Sequence, residues 1–244
     1  MINPRKPSAA LAATLLGAGL ALMAPPTASA APCTDTIEGW ESVELSVGIK
    51  HTKTMYLGVT TAEDCGAAGA TATIKDPVRG AQKVTLTPES DSEGHVRWTG
   101  EYKVSPKKLT NGDAGTWPIT YAVTGPSPDS VSIGAPVRRA VRGSFNAGPE
   151  PVENGRITFS GKVERASWTN KKYYGLSRDL EVSYVPKGED EAEPVVVSTP
   201  RSNKAGKYRV TQHYPGPGAY QVTWGGSRTT SPFASRADRV DTEA

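Results

Sequence analysis

The sequence has little of what metal and cofactor sites need. It contains 2 cysteines and 3 histidines in 244 residues. No two of the histidines, His51, His95 and His213, lie at the ligand spacing of a zinc site. Each lies in or beside a predicted strand, where a solvated position on the strand face is expected. The sequence therefore predicts no metal site and no cofactor.

The sequence also lacks the motif that holds a catalytic nucleophile in serine hydrolases. The nearest match to a nucleophile elbow, Gly175–Asp179, ends in Asp where the motif requires Gly, and no predicted helix follows it. Acidic residues are numerous, but nothing singles out a pair for glycoside hydrolysis. We expect no catalytic residue and no enzymatic activity.

Outside a short N-terminal segment, the sequence has no marked excess of either sign of charge. Arg5 and Lys6 precede an apolar run over Ala9–Met23, and small residues, Ala28–Ala30, follow a proline break. This order predicts a secretory signal peptide over residues 1–30, cleaved between Ala30 and Ala31. A membrane anchor is the alternative, but the run is shorter than the ~20 residues that span a bilayer core. We expect a secreted, extracellular protein that does not insert into a membrane.

The remainder, residues 31–244, is close to neutral. The whole sequence has 28 basic and 25 acidic residues, and the leader contains basic residues but no acidic ones. A near-neutral chain gives no electrostatic reason to expect nucleic acid or an anionic membrane as partner. The length suits one large or two ordinary domains, and we expect a monomer.

The two cysteines are Cys33 and Cys65. In an exported chain, an even and isolated pair predicts one disulfide, with free thiols as the alternative. Closing a loop of that length contributes roughly 3–4 kcal/mol in the chain-entropy model. We expect the bond to attach the mature N-terminus to the end of an early strand.

Apolar and polar residues alternate through most of the mature chain, as over residues 43–49 and 55–59. A period of two is typical of strands with one buried face. Turn clusters such as Asn111–Asp113 and Pro215–Gly218 separate these segments, and almost nothing is typical of a helix. The pattern predicts an all-β protein built of sandwiches or barrels.

Two blocks recur along the chain. Gly94–Tyr102 aligns with Gly206–Tyr214 at an offset of 112 residues, and Gly115–Tyr121 aligns with Gly218–Trp224 at an offset of 103 residues, about the length of one immunoglobulin-type domain. Two matches in the same order favour two homologous immunoglobulin-like folds in tandem, although chance similarity between amphipathic strands is the alternative.

The repeats predict two β-sandwich domains, one over residues 31–138 with the disulfide and one over residues 139–244. We place the boundary near residues 135–142 and expect one strand to lead directly into the next.

The second repeated block resembles the start of strand F of an immunoglobulin sandwich, where a Tyr side chain bonds back across the corner. Trp117 and Tyr220 occupy that position, each two residues after a turn glycine. The second cysteine of an antibody domain would fall at Ile119 or Val222, so the usual disulfide between the sheets is absent from both halves.

A longer motif begins in the second half with Phe145–Val152 (FNAGPEPV) and continues with Gly155, Gly161, Arg165–Trp168 (RASW) and Tyr174 with Gly175. It resembles the C-terminal immunoglobulin-like domain of secreted two-domain proteins common in actinobacteria. The resemblance covers residues 140–244 well and the first half loosely. It implies secretion and a β-sandwich but no established activity, although some similar proteins are described as calcium-binding.

Two acidic segments are possible cation sites. Glu89–Gly94 alternates oxygen ligands before a glycine, as in an EF-hand, but the twelfth position is Gly100, and Glu101 comes one residue too late. We expect a solvated hairpin tip there, with weak calcium binding as the alternative. Glu189–Glu193 is interpreted as a second polar hairpin tip.

One cluster combines aromatic and basic residues, a common composition of binding patches. The candidate binding surface consists of Trp168, Lys171, Lys172, Tyr173 and Tyr174. The sequence favours burial of Trp168 in the domain core over this speculative surface.

The sequence favours a secreted, non-catalytic binding module for an extracellular protein, a cell-wall glycan or a small polar ligand. The alternative is a structural or accessory domain pair without a discrete ligand. A calcium-binding protein and an enzyme inhibitor rank below both.

Overall fold

The described residues of the first half of the chain form seven strands. A computed structural model describes residues 44–62, 65–90, 94–126, 128–189 and 191–241. The strands of the first half are β1 (Leu45–Val47), β2 (Lys53–Ala62), β3 (Gly69–Asp76), β4 (Gly80–Ser90), β5 (His95–Val104), β6 (Gly115–Thr124) and β7 (Asp129–Arg139).

These strands form two layers because β4 passes from one to the other. Residues 80–86 of β4 pair with β3, and residues 87–90 pair with β5. One layer therefore has the order β1-β7-β6-β3-β4 and the other β4-β5-β2. β1 runs parallel to β7, and the other neighbours are antiparallel.

Alternation decides which side chains fill this sandwich. Along β6, Trp117, Ile119, Tyr121 and Val123 are all at most 3% exposed, and the residues between them are not buried. The Tyr121 hydroxyl accepts a hydrogen bond from the backbone N–H of Gly58 in the opposite layer at 3.4 Å. The buried faces of both layers thus share one core.

In the second half, the residues that the structure describes form nine strands. They are β8 (Val141–Glu153), β9 (Arg156–Ser167), β10 (Lys172–Gly175), β11 (Glu181–Pro186), β12 (Val195–Ser198), β13 (Lys207–His213), β14 (Gly218–Trp224), β15 (Phe233–Ala234) and β16 (Asp238–Val240). One sheet places β9 between β8 and β13, with β10 also paired to β9. The other has the order β12-β11-β14, and both short strands, β15 and β16, pair with β14.

Both halves are immunoglobulin-like β-sandwiches, and the predicted all-β fold class is confirmed. The predicted corners are also present. Trp117 Nε1 donates to the carbonyl of Asp113 at 2.9 Å, and the Tyr220 hydroxyl donates to the carbonyl of Gly216 at 2.6 Å. Each bond reaches back four residues and fixes the chain where strand F begins.

One residue, Ala140, separates the last strand of the first sandwich from the first strand of the second. Both sandwiches belong to one compact unit. Cys65 is buried next to the end of β2, but Cys33 lies outside the described residues, so their disulfide stays a prediction. The expected signal peptide and its cleavage site also lie outside the described residues. Within the described ranges, no helix has the length and apolarity needed to cross a membrane.

Candidate binding site at the joint between the sandwiches

The turn between β9 and β10 packs against the first sandwich. Its Trp168 is 0% exposed and belongs to the core of the first sandwich rather than to that of its own half. Trp168 Nε1 donates a hydrogen bond to the carbonyl of Val47 at the end of β1, at 2.9 Å. A buried indole needs such a partner for its N–H, and the first half supplies it.

Asn111 of the first half holds the same turn with three hydrogen bonds. Its Oδ1 accepts from the backbone N–H of Trp168 at 2.9 Å, and its Nδ2 donates to Ser167 Oγ at 3.1 Å. Its backbone N–H donates to Thr169 Oγ1 at 3.0 Å. The turn is therefore fixed to the first sandwich through polar contacts as well as through the indole.

Lys171 adds a charged contact to the joint. Its Nζ donates to the carbonyls of Pro106 at 2.6 Å and Leu109 at 2.9 Å, both in the connection between β5 and β6. The residue has φ of 53°, in the left-handed region that few residues other than glycine adopt. The ammonium is thus engaged by the first sandwich and is not a free surface charge.

Backbone hydrogen bonds fix the joint on both sides of Ala140. The Ala140 N–H donates to the carbonyl of Val47, and the Ala140 carbonyl accepts from the N–H of Ala166. Arg139 donates from its N–H to the Thr229 carbonyl and accepts at its carbonyl from the Ser231 N–H. With these bonds in place, a change in the angle between the sandwiches has to break several contacts at once.

The residues of the sequence-predicted binding surface therefore divide into two groups. Trp168 is buried and Lys171 is bonded to the first half. Tyr173 packs against the core of the first sandwich, and a Cβ atom at Gly48 would lie 3.1 Å from its hydroxyl. Lys172 and Tyr174 are exposed, but neighbouring residues of a strand point to opposite faces, so Tyr174 does not share a surface with Tyr173.

An open pocket of about 490 Å³ lies at this joint, and we call it the basic joint pocket. The first sandwich lines it with Ser46, Gly48, Ile49, Lys50, His51 and Lys53; Ala140 and the second sandwich add Arg142 and Tyr173. Among the described residues, no acidic side chain is part of this lining. Lys50 and Lys53 are exposed and form no ion pair with another described residue.

Arg142 is held in a defined position in the wall of the pocket. Its guanidinium carbon lies 4.0 Å from the centre of the Tyr173 ring, and Nε and Nη2 bond Glu164 at 3.0 and 2.9 Å. The hydrogen bond from Lys162, at 2.6 Å, together with Arg142 holds the pKa of Glu164 below its ordinary value despite partial burial. Arg142 Nη1 makes no hydrogen bond to another described residue and remains available to a ligand.

Sequence reasoning identified Tyr173 but missed the cations that surround it. Lys50 and Lys53 lie in a polar connection between two predicted strands, and Arg142 is the last residue of the predicted boundary region 135–142. Their charges were visible, but their proximity depends on how the two sandwiches meet, which no local pattern reveals.

The possible cation sites stay untested by the described residues. The loop Glu89–Gly94 includes residues 91–93, and the loop Glu189–Glu193 includes residue 190, all outside the described ranges. Within those ranges, no cluster of three His, Cys, Asp or Glu residues has a geometry suited to a metal ion.

Comparisons with known proteins give likenesses only to solved structures. No protein-family model and no curated protein match the chain. One similar structure, Dpr2 Ig1-Ig2 in complex with DIP-Theta Ig1-Ig3, is 12% identical with a TM-score of 0.35, and the match covers 85% of this chain and 97% of that one. Another, the D00-D0 domain of intimin, is 16% identical with a TM-score of 0.27, and its match covers 81% and 95%. The assignment of two immunoglobulin-like sandwiches rests on strand order and cores.

Proposed function

We propose that the protein is a secreted, non-catalytic binding module that holds an anionic cell-wall glycan at the basic joint pocket. The resemblance of residues 140–244 to secreted two-domain proteins of actinobacteria and the signal-peptide pattern support the compartment. The observation that carries the proposal is the pocket itself, which both sandwiches build and whose lining, as far as the described residues go, has cations but no carboxylate.

The size and charge of the pocket both suit a ligand. A volume of about 490 Å³ lies within the usual range of small-molecule sites. Several cations in a concave surface raise the local concentration of anions. Arg142 adds a planar donor already oriented by Glu164 and Tyr173, so little conformational entropy is lost when it bonds a carboxylate or phosphate.

The expected affinity indicates a polymer rather than a single ion. An exposed charge pair contributes about 0.2–1 kcal/mol, so three such contacts give roughly 1–3 kcal/mol and only millimolar affinity or weaker for one small anion. A chain that presents several anionic groups gains from multivalency without any new type of contact. A glycan with repeated carboxylates or phosphates meets this condition outside a cell.

The test compares the effect on binding of removing positive charge at the pocket with the effect of removing the same charge elsewhere. The protein comprising residues 31–244 is titrated with polygalacturonate, with neutral dextran as control, at low and high salt. The pocket variant carries Lys50→Gln, Lys53→Gln and Arg142→Gln. The matched control carries Lys83→Gln, Lys103→Gln and Lys204→Gln, all exposed lysines outside the pocket lining, so that both have the same net charge.

We expect binding of polygalacturonate but not dextran, a loss of affinity at high salt, and roughly 10- to 100-fold weaker binding of the pocket variant. A double variant with only Lys50→Gln and Lys53→Gln leaves Arg142 in place and checks that the loss does not come from a disturbed Tyr173. Equal losses in the pocket variant and the control would refute the site. No binding to any anionic polymer would favour a structural domain pair without a ligand.

A further inference from the structure

A second cavity, of about 190 Å³, lies at the same end of the first sandwich and has different walls. Its apolar lining includes Val104, Leu109 and Trp117, which are 1–3% exposed. Val78, which also lines the cavity, is 39% exposed. We call this space the apolar end cavity. Unlike the basic joint pocket, it is lined mainly by carbon.

Hydrogen bonds on one side of the cavity fix the turn between β3 and β4. Asp76 Oδ1 accepts from the backbone N–H groups of Val78 and Arg79 at 2.7 and 3.0 Å. Its Oδ2 accepts from the Tyr102 hydroxyl at 2.7 Å and from Arg79 Nε at 2.9 Å. The turn is thus held in place by polar contacts and not by packing across the cavity.

Lys171 of the second sandwich fixes the opposite side. Its ammonium bonds the carbonyls of Pro106 and Leu109, which belong to the connection that forms the other wall. Because both walls are bonded to elements behind them, the cavity does not close by a simple shift of one loop. Protein interiors are normally close-packed, so a fixed apolar space of this kind suits an apolar guest.

The charges around the cavity select the kind of guest. Asp76 is already bonded to Arg79, so these two charges offset each other. Lys107 and Lys108 also line the cavity, are exposed, and form no ion pair with another described residue. The net charge at the opening is therefore positive.

We propose that the apolar end cavity binds an anionic amphiphile, with an apolar part the size of a six-carbon ring or chain inside and its acidic group at Lys107 and Lys108. An apolar cavity of about 150 Å³ in another protein admits benzene, which sets the size of the guest. This site is separate from the basic joint pocket and does not depend on the function proposed for it.

The probe is hexanoate, compared with 1-hexanol as the uncharged match and acetate as the anion without a tail. Binding to the protein comprising residues 31–244 is followed by NMR through the indole N–H of Trp117, which lines the cavity. We expect hexanoate to shift this signal at millimolar concentration, hexanol to bind at least 3-fold more weakly, and acetate to leave it unchanged.

Two variants separate the charge from the cavity. Lys107→Gln with Lys108→Gln changes exposed residues only and should reduce hexanoate affinity to that of hexanol. Leu109→Phe should fill the space and reduce binding of both. The Lys50, Lys53 and Arg142 triple variant should bind hexanoate as the wild type does. Equal binding of hexanoate and acetate, or full hexanoate affinity in the lysine variant, would overturn the proposal.

Discussion

The core of the first sandwich includes residues from the second half, whereas the described core of the second sandwich includes none from the first. Ala166 and Trp168, both 0% exposed, complete the first core. The buried residues of the second core run from Ala147 to Val240. Two halves with the same fold therefore differ in self-sufficiency, and the dependence runs in one direction.

This asymmetry follows from the length of one hairpin. One face of β9 packs in the core of the second sandwich. The end of β9 and the turn after it extend past the joint, and there Trp168 enters the core of the first sandwich. Without that indole, the first sandwich would lose a large buried side chain, and the Val47 carbonyl would lose Trp168 Nε1 and keep only the Ala140 N–H as a donor. One sandwich of a tandem pair can thus depend on the other for part of its core.

Separation of the halves should have the largest effect. We expect a fragment of residues 139–244 to unfold cooperatively on its own, because its core is complete. A fragment of residues 31–138 should lose most of its stability, since domains are stable by only ~5–15 kcal/mol and the missing indole alone is worth several. Urea unfolding followed by circular dichroism measures both. A first fragment as stable as in the full chain would contradict the asymmetry.

Truncation of the indole in the full chain should have the next largest effect. Trp168→Ala should destabilise the first sandwich by about 3–5 kcal/mol, as expected for a fully buried aromatic side chain. Trp168→Phe keeps much of the volume but removes the hydrogen bond to Val47, and should cost less. Tyr174→Ala, in the same hairpin but 49% exposed, is the control and should change the free energy of unfolding by under about 0.5 kcal/mol.

Acid should affect the first sandwich through Asp76. Burial alone would raise its pKa, but the hydrogen bonds from Tyr102, Val78 and Arg79 outweigh it and hold the pKa below 3.8. A depressed pKa stabilises the fold above the ordinary value of 3.8 and loses that contribution as pH falls through the folded-state value. Asp76→Asn should cost about 2–3 kcal/mol at pH 7, because a buried charged acceptor is lost.

The Asp76→Asn variant should also show a weaker dependence of stability on pH below 4 than the wild type. Urea unfolding at a series of pH values gives both numbers. The exposed part of Arg79 limits what its ion pair adds, since its side chain is 41% exposed. An unchanged acid dependence in the variant would show that other carboxyl groups control it.

Removal of either corner hydrogen bond should cause the smallest losses of stability, and the losses in the two halves should be similar. Tyr220→Phe removes the hydrogen bond to the Gly216 carbonyl and should cost about 1 kcal/mol. Trp117→Phe removes the equivalent bond to Asp113 and also some volume, so its cost should be somewhat larger. Urea unfolding of both variants tests this; no loss in Tyr220→Phe would mean that the corner bond is not a source of stability.

Much of each sandwich could be predicted from sequence, because alternation reports which face of a strand is buried. The corner positions of Trp117 and Tyr220 were also predictable, since a turn glycine and an aromatic residue recur at the same spacing in both halves. Burial of Trp168 was the favoured expectation and is confirmed. Its position in the core of the first sandwich was not expected, because periodicity shows that a face is covered but not which element covers it.

The site was less predictable than the fold for the same reason. Lys171 reads as a surface cation in the sequence, but its ammonium bonds two carbonyls more than 60 residues away. The passage of β4 from one layer to the other depends on distant pairing too: the alternation ends after Leu86 and residues 87–89 are all exposed, but the sequence does not show that the strand changes partner there. Contacts distant along the chain create both features.

Hydrogen exchange on the full chain tests the asymmetry most directly, by comparing the wild type with Trp168→Ala and following individual strands by mass spectrometry. The account predicts that exchange accelerates strongly in β6 and β7 of the first sandwich and much less in β13 and β14 of the second. Acceleration confined to the turn between β9 and β10, or equal in both sandwiches, would contradict the claim that the second half completes the first core.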